Sequence, residues 1–263
     1  MQRYLLPFIL LFTLAFSAYA LSQHPFGSWR VPPDDPLSQG GRLYDKWWAE
    51  LNLPKPTATH PAYPAAGKQR GADTWRCKEC HGWDYRGRDG AYAKGSHFTG
   101  IKGIRAYTGA DPAVVVQLLS DSNHQYQTRV PPHALQLLAS FVVQGQIEME
   151  HYIDPASGTP RNADQRLGAR LFDNNCARCH DEDGRYQNFS GDPADPEYIG
   201  TVAQGNPWET WHKIRNGHPG SRMPMGHGMM GRWQRHETMP TFRSFSLEEQ
   251  LAILAHARTL PVK

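Results

Sequence analysis

All four cysteines of this 263-residue chain fall into two pentapeptides, Cys77-Lys78-Glu79-Cys80-His81 and Cys176-Ala177-Arg178-Cys179-His180. No other feature restricts the fold as much. Two thiols three positions apart lie near one face of a short helix, where they can add to the two vinyl groups of one haem. The adjacent imidazole then reaches the iron as proximal ligand. Four cysteines could instead form two disulfides, hold one zinc ion or act as redox dithiols. None of these alternatives needs a histidine directly after both pairs. The expectation is two covalently bound haem c groups, one held by Cys77, Cys80 and His81, the other by Cys176, Cys179 and His180. His81 and His180 are the expected proximal iron ligands.

The N-terminus fits a compartment where such attachment occurs. Met1-Gln2-Arg3 is followed by an apolar run over 4–16 and then by Ser17-Ala18-Tyr19-Ala20. This reads as a signal peptide over 1–20, cut after Ala20, with export to the periplasm. An uncleaved membrane anchor is the rival. Gly (24) and Pro (21) are abundant, which favours short elements joined by long loops. A net charge of +3 without a clustered basic stripe gives no nucleic-acid footprint. No nucleophile–base set suggests hydrolase or transferase chemistry.

With these motifs the chain resembles the diheme members of the class I cytochrome c family. The resemblance implies an all-α fold of two small helical domains in tandem, with long loops. Gly168-Ala169-Arg170-Leu171-Phe172-Asp173 leads into the second motif and is echoed by Gly41-Arg42-Leu43-Tyr44-Asp45 before the first. The expected organisation is an irregular arm over 21–40, a first domain over 41–154 with a Pro-rich insertion at about 49–76, a linker over 155–162 and a second domain over 163–263. Asp111-Pro112 and Asn206-Pro207 open expected helices over 113–119 and 208–215, with a capping side chain before Pro. Further helices are expected over 133–144 and 247–259, the last opened by the capping box Ser246 and Glu249. Trp75, Trp83 and Tyr85 are expected to pack near the first motif, and Lys78, Arg86, Arg88 and Arg178 to be solvated charges.

The resemblance also places a distal iron ligand on the loop between the closing helices of each half, usually a Met before a Pro. The second half offers Met239-Pro240 and Met223-Pro224. Met239 is preferred, because 239–254 reads as a closing segment without a gap, and Met223 is the alternative. The cluster Met223, Met225, Met229 and Met230 with His227 and His236 reads as a haem-side loop rather than a copper site. The first half has no Met between His81 and Met149. His124, just past the helix over 113–119, is the preferred distal ligand there, with His97 or an open site as alternatives. A thioether raises an iron potential and a second imidazole leaves it lower, so electrons would run from the first haem to the second. The expected function is electron carriage between a dehydrogenase or membrane quinol-oxidising partner and a downstream cytochrome or oxidase. The alternatives are a sulfur-compound dehydrogenase or peroxidase-like enzyme working at the first haem, or the haem subunit of a larger oxidoreductase.

Overall fold

A computed structural model describes residues 35–220 and 239–263. The expected signal peptide, most of the expected arm, and the segment 221–238 with Met223, Met225, His227, Met229, Met230 and His236 lie outside the described residues. Among the described residues there is no β-strand, only the isolated bridges Gly87–Lys102 and Ile153–Pro160. The chain is helical, as a class I cytochrome reading implies. No helix among the described residues is long and apolar enough to cross a membrane.

Helix α1 (Pro36–Glu50) begins inside the stretch read as an irregular arm. The cause is local: the Asp35 carboxylate accepts from the amides of Leu37 and Ser38, and Pro36 supplies the first helical position. The same device opens α3 (Pro112–Leu119) after Asp111 and α8 (Pro207–Asn216) after Asn206. Helix α2 (Cys77–His81) is the first motif itself. Helix α4 (Pro132–Ser140) widens into a π-turn over Phe141–Gly145, so the expected single helix over 133–144 changes its pitch midway. In the second half, α5 (Gln165–Asn175) leads into α6 (Ala177–His180), the second motif. Helix α7 (Ile199–Gly205) precedes α8, and α9 (Leu247–Ala257) closes the chain behind the reciprocal Ser246–Glu249 capping box.

A glycine crossing joins the first and last helices of each half. Helix α1 meets α4 at Gly40, where a Cβ would stand 2.6 Å from the Phe141 Cβ and collide with the Leu137 carbonyl. Helix α5 meets α9 at Gly168, where a Cβ would stand 3.0 Å from the His256 Cβ and collide with the Ala252 carbonyl. The backbones can approach this closely only because both positions lack a side chain. Leu43, Tyr44, Leu138 and Phe141 are buried around the first crossing and Phe172, Ile253 and Leu254 around the second. Each such side chain contributes about 1.5–3 kcal/mol by leaving water.

Helix α1 also serves the second half. Its Gly41 faces the side chain of Asn216 at the end of α8, and Arg42 Nη1 donates to the Asn216 carbonyl at 3.0 Å. Tyr85, four residues past the first motif, meets His212 of α8 with 2.9 Å between its hydroxyl and Nδ1; both residues are buried. The Gly41 carbonyl, 2.9 Å from His212 Nε2, can only accept. His212 therefore carries its proton on Nε2, and Nδ1 accepts from the Tyr85 hydroxyl. Burial holds the imidazole neutral, its pKa pushed down to about 4.

Candidate functional site

The first motif opens after an extended Arg76 and stops at Gly82, whose φ of +78° ends the turn. Its cysteines are free thiols, and burial pushes both thiol pKa values up to about 12. His81 Nδ1 lies 2.8 Å from the Lys102 carbonyl, an acceptor, so Nδ1 carries the proton and Nε2 keeps its lone pair. Burial pushes this imidazole down to about 4, which keeps it neutral and ready to ligate.

Opposite His81 stands His124, on the loop after α3. Asp121 fixes this loop, its Oδ1 accepting from the amides of Asn123 (2.9 Å) and His124 (2.8 Å). The same oxygen lies 3.1 Å from His124 Nδ1 and orients Nε2 away from the loop. The two imidazole rings are 6.4 Å apart between centroids and within 24° of parallel. Two metal–imidazole bonds of about 2 Å each, with each ring centre roughly 1 Å further on, span about 6 Å. The gap fits one metal ion held from both sides. It opens on a cavity of about 410 Å³ lined by Cys77, Cys80, His81 and His124 together with Leu118 and Leu119. The residues present therefore suit a covalently attached haem: two thiols, an imidazole on either side and an apolar wall.

His97 is placed elsewhere. Its Nδ1 meets Glu79 Oε1 at 2.9 Å and its ring stacks on Tyr92 at 4.7 Å, and it does not line the cavity. Lys78, expected as a solvated charge, is 5% exposed and pairs with Glu79 at 2.9 Å. Its ammonium also lies 5.5 Å from the ring centre of the buried Trp83. The short helix turns Lys78 inward because Trp83 and the Glu79 carboxylate offer it a paired site there. Arg86 and Arg88 stay at the surface, beside Glu150 and Asp89. His60, a lone histidine among the prolines of the expected insertion, also lines the cavity and carried no sequence signal.

The second motif repeats the local geometry, with differences at the histidine and at the residue after it. Cys176 caps α6, and burial pushes its thiol up to about 12. His180 is pushed down to about 4 by burial, and its Nδ1 has no partner among the described residues. Its ring stands edge-on to Phe189 at 6.2 Å. Asp181 follows with φ +66° and ψ 163°, matching the +78° and 159° of Gly82. That region of backbone space belongs essentially to glycine and costs other residues about 1–3 kcal/mol. Asp181→Gly should therefore stabilise the chain by about 1 kcal/mol, after the entropy cost of glycine, and raise the melting temperature by roughly 2–4 °C. Calorimetry of the two proteins checks this. Met239 is half-buried against the core, and its carbonyl accepts from the His218 amide at 3.4 Å.

All four cysteines are free of disulfides. Among the described residues no three His, Cys, Asp or Glu side chains converge as a site for a bare metal ion. Residues 163–256 match the family model described as cytochrome c oxidase, cbb3-type, subunit III. No curated protein and no solved structure matches the chain. The matched segment contains the second motif, so the chain carries a c-type cytochrome domain, which implies electron transfer as its general role and covalently bound haem c as its cofactor.

Proposed function

We propose that this c-type cytochrome is a diheme electron carrier of the periplasm, with residues before the matched domain forming a second haem site. The observation that carries the reading is the parallel pair His81 and His124, 6.4 Å apart across the cavity that holds Cys77 and Cys80. The glycine crossings at Gly40 and Gly168, and the shared backbone of Gly82 and Asp181, support a repeated unit.

Bound at Cys77 and Cys80, and at Cys176 and Cys179, haem c supplies a one-electron ferric/ferrous couple. The chain's own residues set how that couple behaves. His81 and His124 would hold the iron from either side at the first site, which would leave no open position for a substrate and disfavours the enzyme readings. The Lys102 carbonyl and the Asp121 carboxylate accept from the far nitrogens of these two rings and raise their basicity as ligands. Met239, with Met223 as alternative, would complete the second site opposite His180. That difference sets the first site at lower potential and makes transfer from first to second downhill. The donor would be a dehydrogenase or a membrane quinol-oxidising complex, and the acceptor a cytochrome or oxidase.

One observation favours a second reading. The match of 163–256 to an oxidase subunit model suits a haem subunit docked in a larger oxidoreductase, electron transfer being its role there too. Export by the leader over 1–20 serves both readings.

Haem counting tests the proposal. The purified chain should carry two covalent haems, and a Cys176→Ser, Cys179→Ser variant should keep one whose ferric spectrum is low-spin with two imidazoles. A single haem in the unaltered chain, or loss of all haem in the variant with the fold intact, would sink it.

A further inference from the structure

The Pro-rich segment before the first motif forms part of the wall of its cavity, and one of its side chains reaches the distal loop. His60 is 8% exposed and lines the cavity, as do Ala62 and Thr74. Its Nδ1 lies 3.1 Å from the amide of Ala62, a donor, so Nδ1 holds a lone pair and the ring proton sits on Nε2. Nε2 lies 3.1 Å from the backbone carbonyl of His124 and donates to it. Among the described residues that carbonyl has no other partner.

The strap that carries His60 is tied down at several points. The His60 amide donates to Thr74 Oγ1 at 2.8 Å, and Trp75 Nε1 donates to the Ala58 carbonyl at 2.8 Å. The His60 ring packs on Trp75 with centroids 4.2 Å apart. The Trp75 carbonyl accepts from Trp47 Nε1 at 3.1 Å and from the Tyr126 hydroxyl at 2.9 Å. Trp75 stands two residues before Cys77, and Tyr126 two residues after His124. Between His124 and Tyr126 the chain turns through Gln125 at φ +58°, a conformation that side chains other than glycine rarely adopt. The His124 peptide is thus held by Asp121 on one side and by His60 on the other.

We propose that His60 is a positioning residue that holds His124 against the first haem site through the hydrogen bond from Nε2 to the His124 carbonyl. This rests on the reading of His124 as distal ligand. The Pro-rich segment then has a specific task, to brace the distal ligand from the side of the chain that carries the thiols. Losing one such bond corresponds to about a tenfold rise in the population with His124 detached, about 1.4 kcal/mol.

Cyanide binding to the ferric first haem reads that population, because the anion enters only where His124 has left. The full-length holoprotein would be compared with His60→Phe, which keeps a ring without the donor, with His60→Leu, and with His60→Gln, which keeps a donor near the Nε2 position. Cyanide binding should be about tenfold faster in His60→Phe and His60→Leu, and within about twofold of the parent in His60→Gln. Equal rates in all four proteins, or equal acceleration in all three variants, would overturn the proposal, the second outcome assigning the effect to packing. If either donor-less variant fails to fold, the other against His60→Gln still decides. His124→Ala separates the two readings: if it speeds cyanide binding while His60→Phe does not, the positioning role falls and the ligand stands. If His124→Ala itself changes nothing, the ligand assignment has failed.

Discussion

Replacing His124 by alanine is expected to turn the first haem site from six- to five-coordinate while the second site keeps its spectrum. The facing imidazoles make the expectation specific. His81 keeps its bond to the Lys102 carbonyl, so the proximal side is unchanged, and only the ring 6.4 Å away is removed. Half of the ferric haem should become high-spin. The first-site potential should rise by on the order of 100 mV, since axial ligands tune iron potentials over a range several times larger. Cyanide binding should accelerate by roughly 10–1000-fold, the factor by which a detached state populated at 0.1–10% grows to the whole. Absorption and electron paramagnetic resonance spectra of the ferric protein read the first change, and a redox titration reads the second. A first site still low-spin in the variant would remove His124 from the iron. The same change at His97, which is paired with Glu79 and stacked on Tyr92 away from the cavity, should leave all three readouts in place.

The residues of this site differ in how far the sequence could reveal them. Cys77, Cys80 and His81 are adjacent in the chain, so their chemistry is written in one pentapeptide. His124 could be reached only by elimination, through the lack of Met between His81 and Met149 and a place just beyond a helix end. His60 gave no signal, because its hydrogen bonds and ring contacts belong to a strap without periodicity, folded by tertiary contacts. The fold divides in the same way. Caps such as Ser246 with Glu249 are local and readable, and Asp35-Pro36 carried the signal also found at Asp111-Pro112. The echo at Gly41 competes with it, because a repeat counted from that glycine puts the start of the first domain at 41. The seam between the halves was not readable. Gly40 and Gly41 are neighbours about 100° apart around α1, so one faces α4 and the other α8. A sequence pattern tells which face of a helix is buried, and not which helix buries it.

Gly168→Ala should be among the most damaging single changes in the chain, although it adds only one methyl group. Its Cβ would collide with the backbone carbonyl of Ala252 and press on the Cβ of His256, so no side-chain rotamer can relieve the contact. Helices α5 and α9 must move apart, and overpacking of this kind costs about 1–3 kcal/mol or somewhat more where backbone meets backbone. At about 3 kcal/mol the melting temperature of the holoprotein should fall by roughly 6–12 °C. Arg170→Ala, two residues on and exposed, should stay within about 0.5 kcal/mol and serves as the control. A Gly168→Ala protein that melts with the parent would mean that α5 and α9 do not cross at this point. The matching change at Gly40 carries a further consequence. Helix α5 and its crossing belong to the second half, whereas α1 packs on α4 through Gly40 and on α8 through Gly41 and Arg42. Separating α1 from α4 must also disturb its hold on Asn216 of α8. Gly40→Ala should therefore lower the haem content of both sites, and Gly168→Ala mainly that of the second. Equal loss in the two variants would show that the halves unfold as one cooperative body rather than through the helix they share.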